Sequence, residues 1–409
     1  MSPRMSANER PPRAQELKRR ERLATRFARW VFPPIEDGHI RLILPSEDRI
    51  ECAGSSSGPS ATLVLHRWRA VLRLLCEGDL GFAEAFIDGD WSSPDLAALL
   101  EVAARNIDGT SRRITGWPPV RWLNRLRHLS RANSLAGSRK NISFHYDLGN
   151  AFYRCWLDSS MTYSSALYSH GGQTLEDAQQ AKLARIIEWL DIGGGERVLE
   201  IGCGWGALAI KLARQGCHVT GITLSSEQLA FARQRADEER LGGRISLQLA
   251  DYRDIEDAYD RVVSIEMLEA VGEAYWPLYF KTLHDRLKPG GVALIQAITI
   301  DETRFESYRR VPDFIQRHVF PGGMLPTREI ILAQAATAGL SVVSSERFGA
   351  DYATTLREWR KRFLASWPGI RDLGFPDSFR RLWEYYLCYC EAGFRAGTID
   401  VGFFVFSRE

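Results

Sequence analysis

Apolar residues between positions 198 and 265 cluster in short runs separated by polar stretches with helical spacing. Val198, Leu199 and Ile201 read as a short buried strand, the habit of a parallel sheet, and His218 to Thr223, Ile245 to Ala250 and Arg261 to Ile265 read as further strands. Ala207 to Arg214 alternates small and apolar residues at helical spacing, and Glu176 to Leu190 predicts a helix leading into the first strand. Upstream, Ile40 to Leu44 and Ala61 to Leu65 predict strands, Trp68 to Glu77 and Leu80 to Ile87 predict short helices, and Gly54 to Ser60 predicts a turn or loop. Downstream, Phe305 to Phe320 and Asp351 to Arg395 predict aromatic-rich insertions or appended helices, and Val401 to Phe406 an apolar closing strand. Strands alternating with helices make this an α/β chain.

These patterns divide the chain into a polar N-terminus over 1–30, a small α+β domain over 31–104, a linker over 105–142 and a large α/β domain over 143–409. A length of 409 residues with 45% hydrophobic composition is enough to bury a sizeable core. The net charge of +2 says little, but nine Arg or Lys residues against one acid between Val102 and Lys140 should attract an anionic surface. Within that stretch Trp117, Trp122, Leu123 and Leu126 interleave with arginines. The segment suits a lipid headgroup layer and equally an exposed helix packed on a neighbouring domain. Seven cysteines with no CxxC pair argue for reduced, mostly buried thiols. No apolar run reaches the roughly 20 residues of a membrane span, and the N-terminus lacks the apolar core of a signal peptide. The expectation is a cytoplasmic protein, with no metal and no nucleic-acid partner.

The chemistry concentrates at strand ends. Val198 to Gly206 runs from a strand through Gly202, Gly204 and Gly206 into a helix, so main chain can meet a nucleoside-bearing ligand with no Cβ between them. The dinucleotide fingerprint fits loosely, with Ala207 in its third small position. It also wants an acid after the second strand, where this chain has Leu224-Ser225-Ser226. Asp251-Tyr252 and Glu266-Met267-Leu268-Glu269 close the next two strands, where an open parallel sheet binds its ligand.

Seven blocks resemble, in order, the cyclopropane-fatty-acyl-phospholipid synthase family of S-adenosylmethionine-dependent methyltransferases. They are His145 to Asn150, Val198 to Gly206, Gly221 to Ser225, Ala250 to Asp254, Leu287 to Gly291, Val319 to Gly323 and Gly349 to Tyr352. The resemblance spans roughly residues 140 to 409. It implies a Rossmann-like class I methyltransferase domain, with a mostly parallel seven-stranded sheet, helical insertions and the small N-terminal α+β domain. It further implies that S-adenosylmethionine lies against Gly202, Gly204 and Gly206, with Thr223, Leu224 and Gln228 at ribose and adenine, Asp251 and Tyr252 at the adenine amino group, and Tyr163 and Ser164 near the methionyl portion. Helix capping is the structural alternative for Thr223 and Gln228.

The reaction implied is methyl transfer to the cis double bond of an unsaturated phospholipid acyl chain, through a carbocation. Loss of a proton from the added methyl closes a cyclopropane; loss from a neighbouring carbon leaves a methyl-branched alkene. Family members use bicarbonate as the base, held by a cysteine, a glutamate, a histidine and a tyrosine. The glutamate and tyrosine match Glu269 and Tyr352, but Ser165 and Gln296 replace the cysteine and histidine, and Ala270 follows the glutamate. Two readings stay open: Ser165 and Gln296 still cradle bicarbonate, or Glu269, with the extra carboxylate Glu266, steadies the cation and takes the proton. Glu266 equally suits a solvated or salt-bridged strand end. His145 and His318 read as structural histidines. The resemblance also implies a phospholipid bilayer as partner, met peripherally at its inner face, and leans toward a homodimer. A small-molecule N- or O-methyltransferase and a non-catalytic lipid- or cofactor-binding paralogue are the rivals.

Overall fold

The computed structural model describes residues 35–106 and 148–409. His145, the rest of its block before Leu148, the N-terminal 34 residues and the basic linker beyond Asn106 lie outside the described residues. The chain separates into two compact units, residues 1–116 and 117–409.

In the first unit β1 (Asp37–Ile43), β2 (Arg49–Ala53), β3 (Ser56–Leu65) and β4 (Trp91–Ser92) form a sheet in the order β2-β1-β3-β4. β1 runs antiparallel to β2 and parallel to β3. The expected loop over Gly54 to Ser60 is mostly strand. β3 begins at Ser56 because Gly58 lies so close to Gly38 that a Cβ on it would come within 2.7 Å of the Gly38 nitrogen. The two expected helices follow one another within α1 (Arg69–Ile87), separated by a kink at Gly78, whose φ of 72° is open to glycine and costly for other residues. α2 (Leu96–Arg105) starts on Asp95, whose carboxylate accepts the Ala98 N–H.

The second unit holds the seven-stranded sheet. In chain order its elements are α3 (Asn150–Arg154), α4 (Leu175–Trp189), β5 (Arg197–Ile201), α5 (Ala207–Arg214), β6 (His218–Thr223), α6 (Ser226–Glu238), β7 (Ile245–Leu249) and β8 (Tyr259–Ile265). Then follow α7 (Leu268–Val271), α8 (Trp276–Arg286), β9 (Leu287–Ile300), α9 (Glu302–Arg310), α10 (Phe314–His318), α11 (Arg328–Thr337) and β10 (Leu340–Arg347). α12 (Gly349–Ala365), α13 (Trp367–Asp372), α14 (Asp377–Arg395) and β11 (Ile399–Arg408) complete it. The sheet order is β10-β11-β9-β8-β5-β6-β7. Only β11 runs against its neighbours; it lies antiparallel to both β9 and β10. The central strands are fully covered, Val198, Leu199, Val262 and Val263 all being 0% exposed. That explains their apolar runs.

β10 carried no signal because it is an edge strand with Leu340 as its one buried residue. α12 packs on α14. Around Phe152 of α3, the rings of Trp156, Phe363, Phe375, Phe379 and Trp383 stand 5.1–6.3 Å away, so aromatic residues of the second expected insertion gather on α3. The seven cysteines are unpaired, but fewer are buried than expected. Cys203, Cys217 and Cys388 are buried, Cys52, Cys155 and Cys390 are half-buried, and Cys76 is exposed.

The turn after β5 depends on left-handed backbone, with φ values of 84°, 54° and 83° at Gly202, Gly204 and Gly206. Gly206 caps α5, and a Cβ there would stand 3.0 Å from the Cβ of Ala232 on α6. Gly206→Ala should therefore lower the unfolding free energy by about 1–2 kcal/mol in urea titration. An unchanged midpoint would show that the turn relaxes without strain.

Candidate functional site

The carboxyl ends of β5, β6, β7 and β8 open on one edge of the sheet, and the candidate residues gather there. The glycine turn is pinned to the neighbouring strand, since the N–H groups of Gly202 and Cys203 both donate to the Ile222 carbonyl, at 3.0 and 2.9 Å. A Cβ on Gly204 would meet open space, so ligand can approach the main chain at that point.

At the end of β6, Ser225 caps α6 by accepting the Gln228 N–H at 3.3 Å. Thr223 accepts the Ser225 N–H at 3.2 Å and donates to Gln228 Oε1 at 2.8 Å. Capping thus falls to Ser225, and no described residue accepts from the Gln228 amide nitrogen. Leu224 is half-buried beside them. After β7, Asp251 is 1% exposed and both its oxygens take hydrogen bonds of 2.7 Å from Arg253. The Tyr252 hydroxyl is buried without a partner, and burial pushes the phenol up to about 12.

β8 ends on two acids with different surroundings. Glu266 has φ 48°, left-handed for a residue with a side chain, while its N–H still donates to the Gln296 carbonyl at 2.7 Å. The kink sends the carboxylate inward. Its Oε1 accepts the Ser165 N–H at 2.8 Å and Gln296 Nε2 at 2.7 Å, and its Oε2 accepts the Tyr352 hydroxyl at 2.6 Å. Burial raises its pKa, and the Tyr352, Ser165 and Gln296 hydrogen bonds and the Lys182 charge oppose that rise. Glu269 accepts one hydrogen bond at its carboxylate, from the Ile298 N–H, and its Oε2 has no partner. Burial, then the charge of Glu266, pushes it up to about 8. The sequence motif therefore holds one carboxylate whose three donors oppose the rise that burial causes and one with a single donor, pushed up to about 8.

The other expected residues also take definite places. The Ser165 hydroxyl donates to the Ala166 carbonyl at 2.9 Å, so this residue serves the site with its backbone N–H and not its side chain. Gln296 spends its amide nitrogen on Glu266 and leaves Oε1 without a partner. The hydroxyls of Tyr163 and Tyr386 stand 2.8 Å apart, with the rings of Trp156 and Trp359 at 5.4 and 5.3 Å from that of Tyr163. Tyr352 packs its ring 4.6 Å from Phe394. Ser164 is buried and accepts from Lys182 Nζ at 2.5 Å. Lys182 and Tyr386 were not singled out from the sequence. The signal for Lys182 was present, because it falls on the same helical stripe as Leu175, Ala178 and Ile186.

The glycine turn, the Gln228 amide, the unpartnered Tyr252 hydroxyl and the buried Ser164 fit a nucleoside-bearing sulfonium cofactor along the sheet edge. An external bicarbonate does not fit the same way. The side-chain donors of Gln296 and Tyr352 and the N–H of Ser165 are all turned to Glu266.

The family described as mycolic acid cyclopropane synthetase matches residues 133–404. The tuberculostearic acid methyltransferase UfaA1 of Mycobacterium tuberculosis is 39% identical over 87% of this chain and 85% of its own length. The cyclopropane-fatty-acyl-phospholipid synthase of Escherichia coli K12 is 38% identical over 82% of this chain and 85% of its own. Among solved structures, the mycolic acid cyclopropane synthase CmaA1, complexed with SAH and CTAB, superimposes with a TM-score of 0.62 at 30% identity, covering 66% of this chain and 98% of CmaA1. With a class I methyltransferase sheet and strand ends suited to an S-adenosyl ligand, this chain belongs to the mycolic acid cyclopropane synthetase family and is an S-adenosylmethionine-dependent methyltransferase.

Proposed function

We propose that the enzyme methylates the cis double bond of an unsaturated phospholipid acyl chain and releases a methyl-branched chain that keeps a double bond, with Glu266 as the base. The observation that carries this reading is the Glu266 carboxylate itself, held by Ser165, Gln296 and Tyr352 where an external anion would otherwise take those donors. The name of the tuberculostearic acid methyltransferase, a methyl-branching relative, adds support.

S-adenosylmethionine, when bound, supplies an electrophilic methyl on a positively charged sulfur. The acyl π bond forms the new carbon–carbon bond as the methyl's bond to sulfur breaks, leaving a cation on the neighbouring chain carbon. Glu266 stabilises that cation as the nearest ionised acid, and the aromatic rings of Tyr163, Trp359 and Tyr352 offer π faces around it. The carboxylate then takes a proton from the chain carbon adjacent to the cation, and the electron pair of that C–H bond becomes the new double bond. Glu269, pushed up to about 8, stays protonated at neutral pH and keeps the pair at a single negative charge.

Among the described residues no helix is long and apolar enough to cross a membrane. The bilayer is reached at its surface in this reading, with the basic Trp-containing segment over 105–142 as the contact.

Three outcomes test the proposal. In a host rich in monounsaturated phospholipid, dimethyl-disulfide derivatisation with mass spectrometry should find a one-carbon gain, a methyl branch and a retained double bond; a saturated ring would overturn the assignment of the proton. Purified enzyme should turn over equally in buffer stripped of carbon dioxide. Glu266→Ala should lose about 10²–10⁴-fold in kcat, and added bicarbonate should restore part of it by filling the vacated cradle. A wild-type enzyme that stops without bicarbonate would remove Glu266 as base. The third outcome concerns stability. Glu269 is protonated when folded up to about pH 8, whereas the unfolded carboxyl ionises near 4.5. Folding thus takes up a proton in that window, and the wild type loses stability as pH rises through it. Glu269→Gln copies the protonated form, so its advantage over wild type in urea unfolding should grow from pH 5 to pH 8 and then level off. Parallel curves would show that Glu269 is ionised in the fold.

A further inference from the structure

α4 turns Leu175, Ala178, Gln179, Lys182, Leu183 and Ile186 inward, and both Gln179 and Lys182 are 0% exposed. A buried ammonium is costly unless something answers its charge. Lys182 Nζ makes one hydrogen bond, to Ser164 Oγ at 2.5 Å. Glu266, Asp158 and Glu200 are near enough to act on its charge, but none of the described residues forms an ion pair with it. Gln179 Nε2 donates to the Ser164 carbonyl at 2.9 Å, so one helix face fixes Ser164 at both side chain and backbone.

An ammonium has donors only, so Ser164 Oγ accepts from Lys182 and its own hydroxyl proton must point elsewhere. No described residue accepts that proton, although Ser164 is 5% exposed. The neighbouring Ser165 N–H is bonded to Glu266, which sets Ser164 across the carboxyl ends of the strands. A buried hydroxyl, polarised by a cation and with its donor unspent, is a receptor for an anionic acceptor.

We propose that Lys182 is a positioning residue which, through the Ser164 hydroxyl, fixes the carboxylate of the methionyl portion of the S-adenosyl cofactor. The inference rests on the cofactor reading of this site. The ligand carboxylate adds a nearby negative charge on the far side of Ser164, where no described acid pairs directly with Lys182, and Ser164 donates to it. Burial lowers Lys182 to about 8, so the side chain is mostly charged at neutral pH. An anion on the far side of Ser164 would raise that value again.

Equilibrium binding to the full chain tests this with three probes: S-adenosylhomocysteine, its decarboxylated analogue, and 5′-methylthioadenosine, which lacks the whole amino-acid part. Wild type should prefer S-adenosylhomocysteine to the decarboxylated analogue by at least about tenfold, equivalent to one carboxylate contact. Lys182→Met should erase that preference while leaving affinity for the other two probes within about twofold. Equal weakening of all three would mean that Lys182 only supports the fold, and an intact preference would mean that it does not reach the carboxylate; either overturns the proposal. Ser164→Ala removes no buried charge and reads the same preference if Lys182→Met fails to fold. A wild type that binds none of the three probes would sink the cofactor reading itself, whereas one that binds all three equally would sink only the role of Lys182.

Discussion

The buried carboxylate of Glu266 is the constraint on which the catalytic unit's arrangement turns. A charge taken out of water must be met by hydrogen bonds, and its three donors come from the segment before α4, from β9 and from α12. Those pieces are far apart in sequence. Holding them on one side chain ties the C-terminal helices to the sheet edge, and the left-handed φ at Glu266 is the local strain that aims the carboxylate at them. Backbone strain beside a set of converging donors marks the site independently of any resemblance.

Charge in this interior is set by how many donors each acid receives. Glu266 receives three, which oppose the rise that burial causes; Glu269 accepts one and is pushed up to about 8. Glu200, on β5 beneath the glycine turn, is likewise raised to about 8, with its Oε2 unpartnered. Lys182 supplies the opposing charge from α4. Among the described residues, Glu200 and Glu269, both raised to about 8, the three-donor carboxylate of Glu266 and the buried ammonium of Lys182 thus lie near the strand ends. A positively charged sulfonium and a carbocation are both favoured where fixed negative charge is localised.

The parallel strands were legible because strands covered on both faces are mostly apolar, as Val198, Leu199, Val262 and Val263 are. β10 was not, because an edge strand with one buried residue has no such demand, and the first half of β3 was hidden by the glycine and serines that let it lie close to β1. At the site, the glycine turn and the acids after β8 could be read from residue type and place. What the sequence could not disclose was direction. Ser165 reaches Glu266 through a backbone N–H that every residue but proline possesses, so the serine hydroxyl, the feature visible in sequence, was misleading. Glu266 looked as suited to solvent as to the core until its φ showed which way it faced.

β11 lies between β9 and β10 and carries Phe403, Phe404, Val405 and Phe406 at 0–2% exposure. The strand nearest the C-terminus is thus an interior one, inserted after both of its neighbours. During synthesis β9 and β10 emerge with a gap between them that no earlier segment fills, and α12 to α14 must wait beside it. The catalytic unit cannot assemble progressively from its N-terminal side, and until β11 arrives the nascent chain presents two unpaired strand edges, the kind of surface that chaperones cover and that aggregation exploits.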